Sequence, residues 1–217
     1  MKTVTEHLLA LADAGNAAFT ARLVPGVDPD RMLGCRIPQL HRLARTLRGT
    51  PEAAAFLTQL PHRYYDENNL HGILLGHIRP TGEALDALER FLPHIDNWAT
   101  CDSGVPAVFK KHKNELLLHV YEWLDSDKPY TVRYGIGTLM RLYLDEDFDI
   151  KYALDVAKIR SKEYYVNMMK AWYIATALAK QYDAVLPILQ ERLMDSWSHN
   201  KAIQKARESY RITPQQK

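Results

Sequence analysis

The residues of this chain best suited to chemistry lie in one short stretch, Asp96-Asn97-Trp98-Ala99-Thr100-Cys101-Asp102. Residues four apart in a helix share a face, so the Trp98 indole and the Asp102 carboxylate would project side by side. Both groups attract positive charge, the ring through its quadrupole and the carboxylate through a Coulomb interaction that grows as water is excluded. The stretch therefore predicts a site for a cationic group. The structural alternative is that Trp98 fills core and Asp102 caps the next helix, with Pro106 in its first turn.

Two further residues have the types that such a site needs. Trp172 lies in an aromatic-rich segment, residues 164–173, whose rings are too many for one apolar stripe, so some must face outward or into a cleft. Arg133 is a cation in an otherwise apolar helical segment, where Gly135 and Gly137 allow another element to pack closely. The alternative for Arg133 is ordinary helix packing, with the guanidinium paired to a nearby carboxylate.

Basic residues form two clusters that could follow a nucleic-acid backbone, although each could instead be a solvated face. On a concave stack of helices they would make an electrostatic track for duplex phosphates, helped by helix N-termini. The clusters comprise Lys110, Lys111, His112 and Lys113, and Lys201, Lys205, Arg207 and Arg211. The residues expected to contact DNA are Lys110, Lys111, Lys113, Lys170, Lys201 and Lys205.

The elements that position these residues are predicted to be helices throughout. Apolar residues recur at helical spacing, as in the segment from Tyr64 to Ile78, and no stretch shows the period-two alternation of a strand. About twelve helices alternate with short connections rich in Pro, Gly and Asp, at a pair spacing of roughly 35 to 40 residues, in the range of HEAT-type repeats. The pattern predicts an all-α fold, an α-solenoid of about six antiparallel helix pairs, curved with a concave binding face.

Composition narrows the class of protein further. The chain has 217 residues, 47% of them apolar, which is enough to close one core, so we expect one helical-repeat domain over residues 1–217 with a disordered tail after Ile212. Cys35 and Cys101 support neither a disulfide framework nor a cysteine-based zinc site. No secretory signal pattern opens the chain, and no apolar stretch approaches the roughly 18 residues of a membrane span. A cytoplasmic protein is therefore expected.

Common catalytic motifs are absent from the sequence. It contains no phosphate-binding loop of the G-x-x-x-x-G-K-[ST] type, no G-x-S-x-G nucleophile elbow and no H-E-x-x-H zinc motif. The nine histidines form no i, i+4 ligand pairs with a carboxylate, so the sequence does not suggest a metal site. The formal charge of +2 is too small to identify a nucleic-acid binder, although a small total can hide a basic face.

Together these residues resemble the AlkD-like DNA alkylation repair glycosylases, a family of all-helical proteins with HEAT-like repeats. The resemblance covers nearly the whole chain. Residues 34–40 (G-C-R-I-P-Q-L) resemble an early turn of the family, and residues 200–205 also fit. The family's active site is a cleft with two tryptophans around an aspartate and an arginine nearby. The resemblance therefore implies an active site of Trp98, Asp102, Arg133 and Trp172.

What the resemblance implies is a monofunctional glycosylase that hydrolyses the N-glycosidic bond of N3- or N7-alkylated purines. Such a base is cationic and leaves neutral, so the enzyme has to stabilise an oxocarbenium-like sugar and position water. Asp102 would do both, the Trp98 and Trp172 rings would contact the deoxyribose, and Arg133 would hold a phosphate beside the lesion. No cofactor or metal is implied. The expected partner is double-stranded DNA carrying alkylated purines, bound by a monomer without contact to a membrane.

Two alternatives belong to other functional classes. The first is a non-catalytic helical-repeat protein that binds damaged or branched DNA in the same cleft. The second is a helical scaffold for protein partners, which a concave face dominated by acidic or apolar side chains would favour. An Asp102 directed into a basic, tryptophan-lined cleft favours the enzyme, whereas an Asp102 buried as a cap favours the binding protein.

Overall fold

A computed structural model describes residues 2–217, and every regular element in that range is a helix. The all-helical prediction is therefore confirmed. The chain divides into two compact units, Met1–His112 and Lys113–Lys217. None of the helices within residues 2–217 combines the length and the apolar character that a bilayer crossing requires.

The first unit contains seven α-helices, and its core forms around the fifth. Their bounds are α1 Val4–Leu9, α2 Ala14–Leu23, α3 Ile37–Leu47, α4 Pro51–Thr58, α5 Tyr65–Leu75, α6 Thr81–Phe91 and α7 Trp98–Asp102. Helix α5 packs against α1, α3, α4, α6 and α7. Its residues Leu70, Ile73, Leu74 and Leu75 are buried, as the sequence pattern predicts. A helix surrounded in this way has no solvated face, which is why α5 also buries polar side chains.

One of those buried polar side chains, Asp66, holds a neighbouring segment in place. The Asp66 carboxylate accepts hydrogen bonds from the Leu33 and Cys35 amides, both at 2.7 Å. Between these two amides lies Gly34, whose φ of 79° and lack of a side chain are both required, because a Cβ there would lie 2.2 Å from the Asp13 carbonyl oxygen. The turn at Gly34 therefore depends on a glycine and a buried carboxylate together.

The second unit contains six α-helices in two layers. Their bounds are α8 Lys113–Leu124, α9 Pro129–Leu142, α10 Ile150–Lys158, α11 Tyr164–Lys180, α12 Tyr182–Gln190 and α13 Ser196–Glu208. Helix α11 packs between α9 and α13 in one layer, while α10 packs on α12 in the other. Side-chain contacts between successive helices of a layer join residues 32 to 34 positions apart, such as Arg133 of α9 with Tyr165 of α11 and Tyr121 of α8 with Asp155 of α10. This regular offset is that of stacked helix pairs, the packing of an α-solenoid.

The helix boundaries follow local signals that the sequence carries. Thr50 caps α4 by accepting a hydrogen bond from the Ala53 amide, and Pro51 opens the helix. Apolar residues at helical spacing predict one helical segment from Thr5 to Arg22, in which Gly15-Asn16 would permit a break. The structure instead ends α1 at Leu9 and starts α2 after Asp13, whose carboxylate accepts a hydrogen bond from the Asn16 amide. This earlier break accounts for thirteen helices in the described residues, where the sequence pattern suggested about twelve.

The C-terminal tail, expected to be disordered after Ile212, has local structure. A short 3₁₀ turn covers Pro214–Gln216, and the Tyr182 hydroxyl donates a hydrogen bond to the Gln216 carbonyl at 3.3 Å. Ile212 itself is buried. The tail therefore contacts α12 in this structure.

Candidate functional site

The stretch that the sequence singled out forms the single-turn helix α7 in the first unit. Asn97 caps its N-terminus by accepting a hydrogen bond from the Thr100 amide at 2.9 Å. The Ser103 hydroxyl closes the other end by donating to the Thr100 carbonyl at 2.7 Å. An isolated helix of one turn is not stable in water, so these caps and the packing around it hold α7 in place. Trp98 and Asp102 stand at its two ends.

Asp102, the last residue of α7, is partly exposed. The next element is a 3₁₀ helix over Ala107–Lys111, preceded by Pro106 at its N-terminus and without a side-chain cap. Asp102 does make further contacts within the protein.

Trp98 has a structural role in addition to any role in chemistry. Its indole N–H donates a hydrogen bond to the Leu23 carbonyl at the end of α2, at 3.1 Å. The ring packs, together with Ala99, on a cluster formed by Val24, Val27, Met32 and Tyr65. The indole is therefore fixed in orientation by one edge, while part of the ring stays exposed.

Two further polar residues fix α7 against α5, and sequence reasoning did not identify them. The Thr100 hydroxyl donates to the Asn69 side-chain oxygen at 2.7 Å and accepts from the Asn97 side-chain amide at 3.0 Å. Gly72 lets α7 approach closely, because a Cβ there would lie 2.8 Å from the Ser103 hydroxyl oxygen. One signal in the sequence could have indicated this contact. Asn69 lies beside Leu70 and Ile73 on a buried helix, and a polar residue in such a place needs a hydrogen-bond partner.

In the second unit, Arg133 is only 4% exposed on α9. Its Nη1 donates to the Tyr165 carbonyl at the start of α11, at 2.7 Å, and the side chain makes other contacts as well. Arg133 therefore stabilises the packing of α9 on α11.

Trp172, on α11, keeps 40% of its surface exposed and forms one wall of a groove of about 580 Å³. We call this the Trp172 groove. The Lys205 ammonium of α13 lies over the indole ring, 6.0 Å from its centroid. The other residues that line the groove are Met140, Arg141, Ala175, Thr176, Ala179, Lys180, Glu208, Ser209 and Arg211.

The remaining basic residues expected to contact DNA differ in their surroundings. Lys110 and Lys111 are exposed on the 3₁₀ helix of the first unit. Lys113, at the start of α8, forms an ion pair with Asp147. The Lys201 ammonium lies 5.8 Å from the centre of the Trp197 ring and donates to the Gln204 side chain.

Lys170 does not fit the expectation of a DNA contact. Its side chain is completely buried, and its ammonium donates to the Asp195 carboxylate and the Ile159 carbonyl, both at 2.7 Å. Burial raises the pKa of Asp195, but the hydrogen bonds from Lys170 and Ser198 outweigh that effect and lower the pKa to about 2. Lys170 is thus held inside the protein, where no phosphate reaches it.

Residues 4–206 match the family model described as DNA alkylation repair enzyme. None of the curated proteins matches the chain.

Proposed function

Because the chain belongs to the DNA alkylation repair enzyme family, we propose that it is a monofunctional glycosylase acting on cationic N3- or N7-alkylated purines in duplex DNA. The family supports DNA repair and DNA as the partner. The observation that carries the glycosylase proposal is the placement of Asp102, a partly exposed carboxylate on the same helical turn as Trp98.

The proposed reaction requires little more than charge and orientation. Water attacks C1′ of the deoxyribose as the bond from C1′ to the purine nitrogen breaks, and the bonding electron pair neutralises the cationic ring. The departing base needs no proton. One proton of the attacking water passes to the Asp102 carboxylate or to solvent, which leaves a free base and an abasic site in an unbroken strand.

Asp102 would act at the point where positive charge develops. Its carboxylate stabilises the oxocarbenium-like sugar and accepts a hydrogen bond from the attacking water. The hydrogen bond from the Trp98 indole N–H to the Leu23 carbonyl fixes the orientation of the indole. The exposed ring of Trp172 offers another aromatic face. Aromatic faces attract cations, so each ring would stabilise positive charge on a sugar that it contacts. Arg133 is the proposed phosphate contact beside the lesion, in addition to its bond to Tyr165.

We test the proposal by measuring release of 7-methylguanine and 3-methyladenine from methylated duplex DNA. Asp102→Asn should lower release by at least 100-fold while DNA binding is kept, because the neutral amide has a similar shape but no charge. The matched control is Asp86→Asn, which neutralises an exposed carboxylate on α6 of the same unit. Trp172→Ala should lower release as well.

The outcome also separates the alternative functions. A folded wild-type protein that binds DNA but releases neither base would refute the glycosylase and favour the non-catalytic DNA-binding protein. That alternative is supported by the commitment of the Trp98 N–H and of Arg133 to packing contacts. Absence of DNA binding would favour the protein scaffold. We further propose that the protein acts as a cytoplasmic monomer through a concave face.

A further inference from the structure

Another groove, of about 430 Å³, lies in the first unit between α4 and the connection from α5 to α6. We call it the Arg48 groove, after an arginine that lines it. Leu57 and Ile78 are only partly buried there, so an aliphatic surface remains accessible to solvent. The apolar residues of the lining are Ala53, Ala54, Leu57, Leu74, Ile78 and Pro80. The floor of the groove can therefore cover an aliphatic group of a ligand.

This groove is separate from the proposed active site. Helix α7 packs on α5 at Asn69 and Gly72, whereas Leu74 of α5 lines the groove. Successive residues of a helix are turned by about 100°, so Leu74 points about 150° away from both of those residues. The groove and α7 therefore lie on opposite sides of α5.

Positive charge predominates among the charged residues of the groove. Arg48, His77 and Arg79 line it, and Glu83 is the acidic residue of the lining. Among the described residues, 2–217, none forms an ion pair or a hydrogen bond with the guanidinium group of Arg48 or of Arg79. Both arginines are exposed, so their guanidinium groups are available to an anion.

These arginines belong to a larger basic cluster of the first unit. Burial lowers the pKa of His77, and the nearby Arg48, Arg79, His41 and Arg45 lower it further. His41 and Arg45 are exposed on α3. A ligand with negative charge would therefore enter a positive field at this groove.

Helix electrostatics explain Arg48 but not Arg79. Arg48 is the C-cap residue of α3, where a cation stabilises the carbonyl end of the helix dipole. Arg79 directly precedes Pro80, the N-cap residue of α6, and a cation is unfavourable at that end of a helix. Two guanidinium groups without partners beside an aliphatic floor fit a ligand that carries carboxylates next to an aliphatic side chain.

We propose that the Arg48 groove binds an acidic segment of a partner protein, with one aliphatic side chain on the floor and flanking carboxylates on Arg48 and Arg79. A guanidinium group is planar and can bind a carboxylate through two parallel hydrogen bonds. The aliphatic side chain would leave water as it covers Leu57 and Ile78. This inference goes beyond the proposed function and does not depend on it.

A nucleic acid fits the groove less well. Unpaired bases bind to aromatic faces on which they stack, and none of the described residues that line the groove is Phe, Trp or Tyr. A sugar–phosphate backbone has no aliphatic side chain to cover the floor. The arginines alone would attract phosphates as well as carboxylates, so the experiment has to separate the two partners.

The test begins with a selection from short random peptides displayed on phage. Peptides that bind the double variant Arg48→Gln/Arg79→Gln are removed first, which discards those that bind elsewhere on the surface. The remaining peptides are selected on the wild-type protein. We expect them to carry several acidic residues around one Leu, Ile, Val or Met. Recovery of no peptide, or of peptides without this pattern, would overturn the inference.

Single variants then test the role of charge. Dissociation constants of one selected peptide are measured for wild type, Arg48→Gln, Arg79→Gln and the matched control Arg22→Gln. Arg22 is exposed in the last turn of α2, in the same unit but outside the groove. Each groove variant should weaken binding by about tenfold, because a charge-assisted hydrogen bond is lost, and Arg22→Gln should have no effect. Equal weakening by all three would reflect total charge alone and would contradict the inference.

The three arginines are exposed, and unchanged thermal unfolding confirms that each variant is folded. Serine in place of the aliphatic residue of the peptide should also weaken binding by about tenfold, because burial on the floor is lost. Unchanged binding of that peptide would refute the role of the floor. Unmodified duplex DNA is added as a competitor. A duplex that displaces the peptide, and whose affinity falls in both groove variants but not in Arg22→Gln, would assign the groove to DNA and overturn the assignment to a protein segment.

Discussion

At the scale of single residues, the polar side chains buried against α7 are as important as the two residues that the sequence indicated. Thr100, Asn69 and Asn97 are each at most 2% exposed, and hydrogen bonds join all three. Buried polar groups of this kind favour one arrangement of α7, because any shift leaves donors and acceptors unpaired. The position of Asp102 therefore depends on residues that take no part in chemistry.

Replacing Thr100 with valine tests this dependence. Thr100→Val removes the hydroxyl and leaves the Asn69 oxygen without that donor, so the free energy of unfolding should fall by about 1–3 kcal/mol. If α7 holds the catalytic carboxylate, base release should fall by more than the folded fraction does. Chemical unfolding and the release assay measure the two effects.

The control for this prediction is Thr46→Val on α3. The Thr46 hydroxyl is exposed and donates only to a carbonyl of its own helix. This change should stay within about 0.5 kcal/mol. An equal effect at the two positions would contradict a special role for Thr100.

At the scale of elements, one partly buried ion pair, between Lys170 and Asp195, fixes α11 against α13. Asp195 caps α13 by accepting from the Ser198 amide, and the same carboxylate accepts from the buried Lys170 ammonium. Trp172 lies on α11 and Lys205 on α13, so the geometry of the Trp172 groove depends on this junction. The carboxylate thus joins a helix cap to an interhelical contact.

The two partners of this pair should respond unequally to replacement. Asp195→Ala leaves a buried ammonium without its counter-charge and removes a helix cap, so we expect a loss of about 3–5 kcal/mol. Lys170→Met should cost less, because the Asp195 side chain keeps 32% exposure and can be hydrated. Urea unfolding of both variants measures the difference. A larger loss of unfolding free energy for Lys170→Met than for Asp195→Ala would contradict this prediction. It would show that packing of the lysine side chain contributes more to stability than the helix cap and the counter-charge do.

At the scale of the whole molecule, stability should depend on pH through a histidine pair in the first unit. His62 Nε2 lies 2.8 Å from His71 Nδ1, and their rings stack on Phe56 and Phe91 respectively. Burial lowers the pKa of His71 to about 3 and that of His62 to about 4. The native state therefore keeps both rings neutral at pH values where the unfolded chain takes up protons.

The sign of the effect follows from this difference in proton uptake. The unfolded pKa is about 6.5, so stability is fully present above that value and falls as the pH decreases towards 4. Each histidine contributes up to about 1.4 kcal/mol per pH unit. His71→Phe should reduce the slope of unfolding free energy against pH by up to that amount. His41→Gln, at an exposed position, should leave the slope unchanged. Urea unfolding at several pH values measures both slopes, and parallel slopes for wild type and His71→Phe would contradict the prediction.

Much of the fold was determined by local signals in the sequence. Proline and threonine at helix starts, together with apolar residues at helical spacing, fix where α4 and α9 begin. These signals act within one turn of helix, so they can be recognised without knowledge of the fold. The same holds for α7, where Asn97 caps the turn that carries Trp98 and Asp102.

Tertiary structure alone decided which polar residues are buried. Lysine usually lies at the protein surface, and the sequence around Lys170 gives no sign of burial. Lys170 nevertheless lies in the interior, because Asp195, 25 positions away, supplies its counter-charge. His62 and His71 look scattered in the sequence but lie in contact, and Asn69 receives its hydrogen bond from Thr100, 31 positions away. Helical periodicity specifies which face of a helix is apolar, whereas the partner of a buried polar group is set by how helices pack.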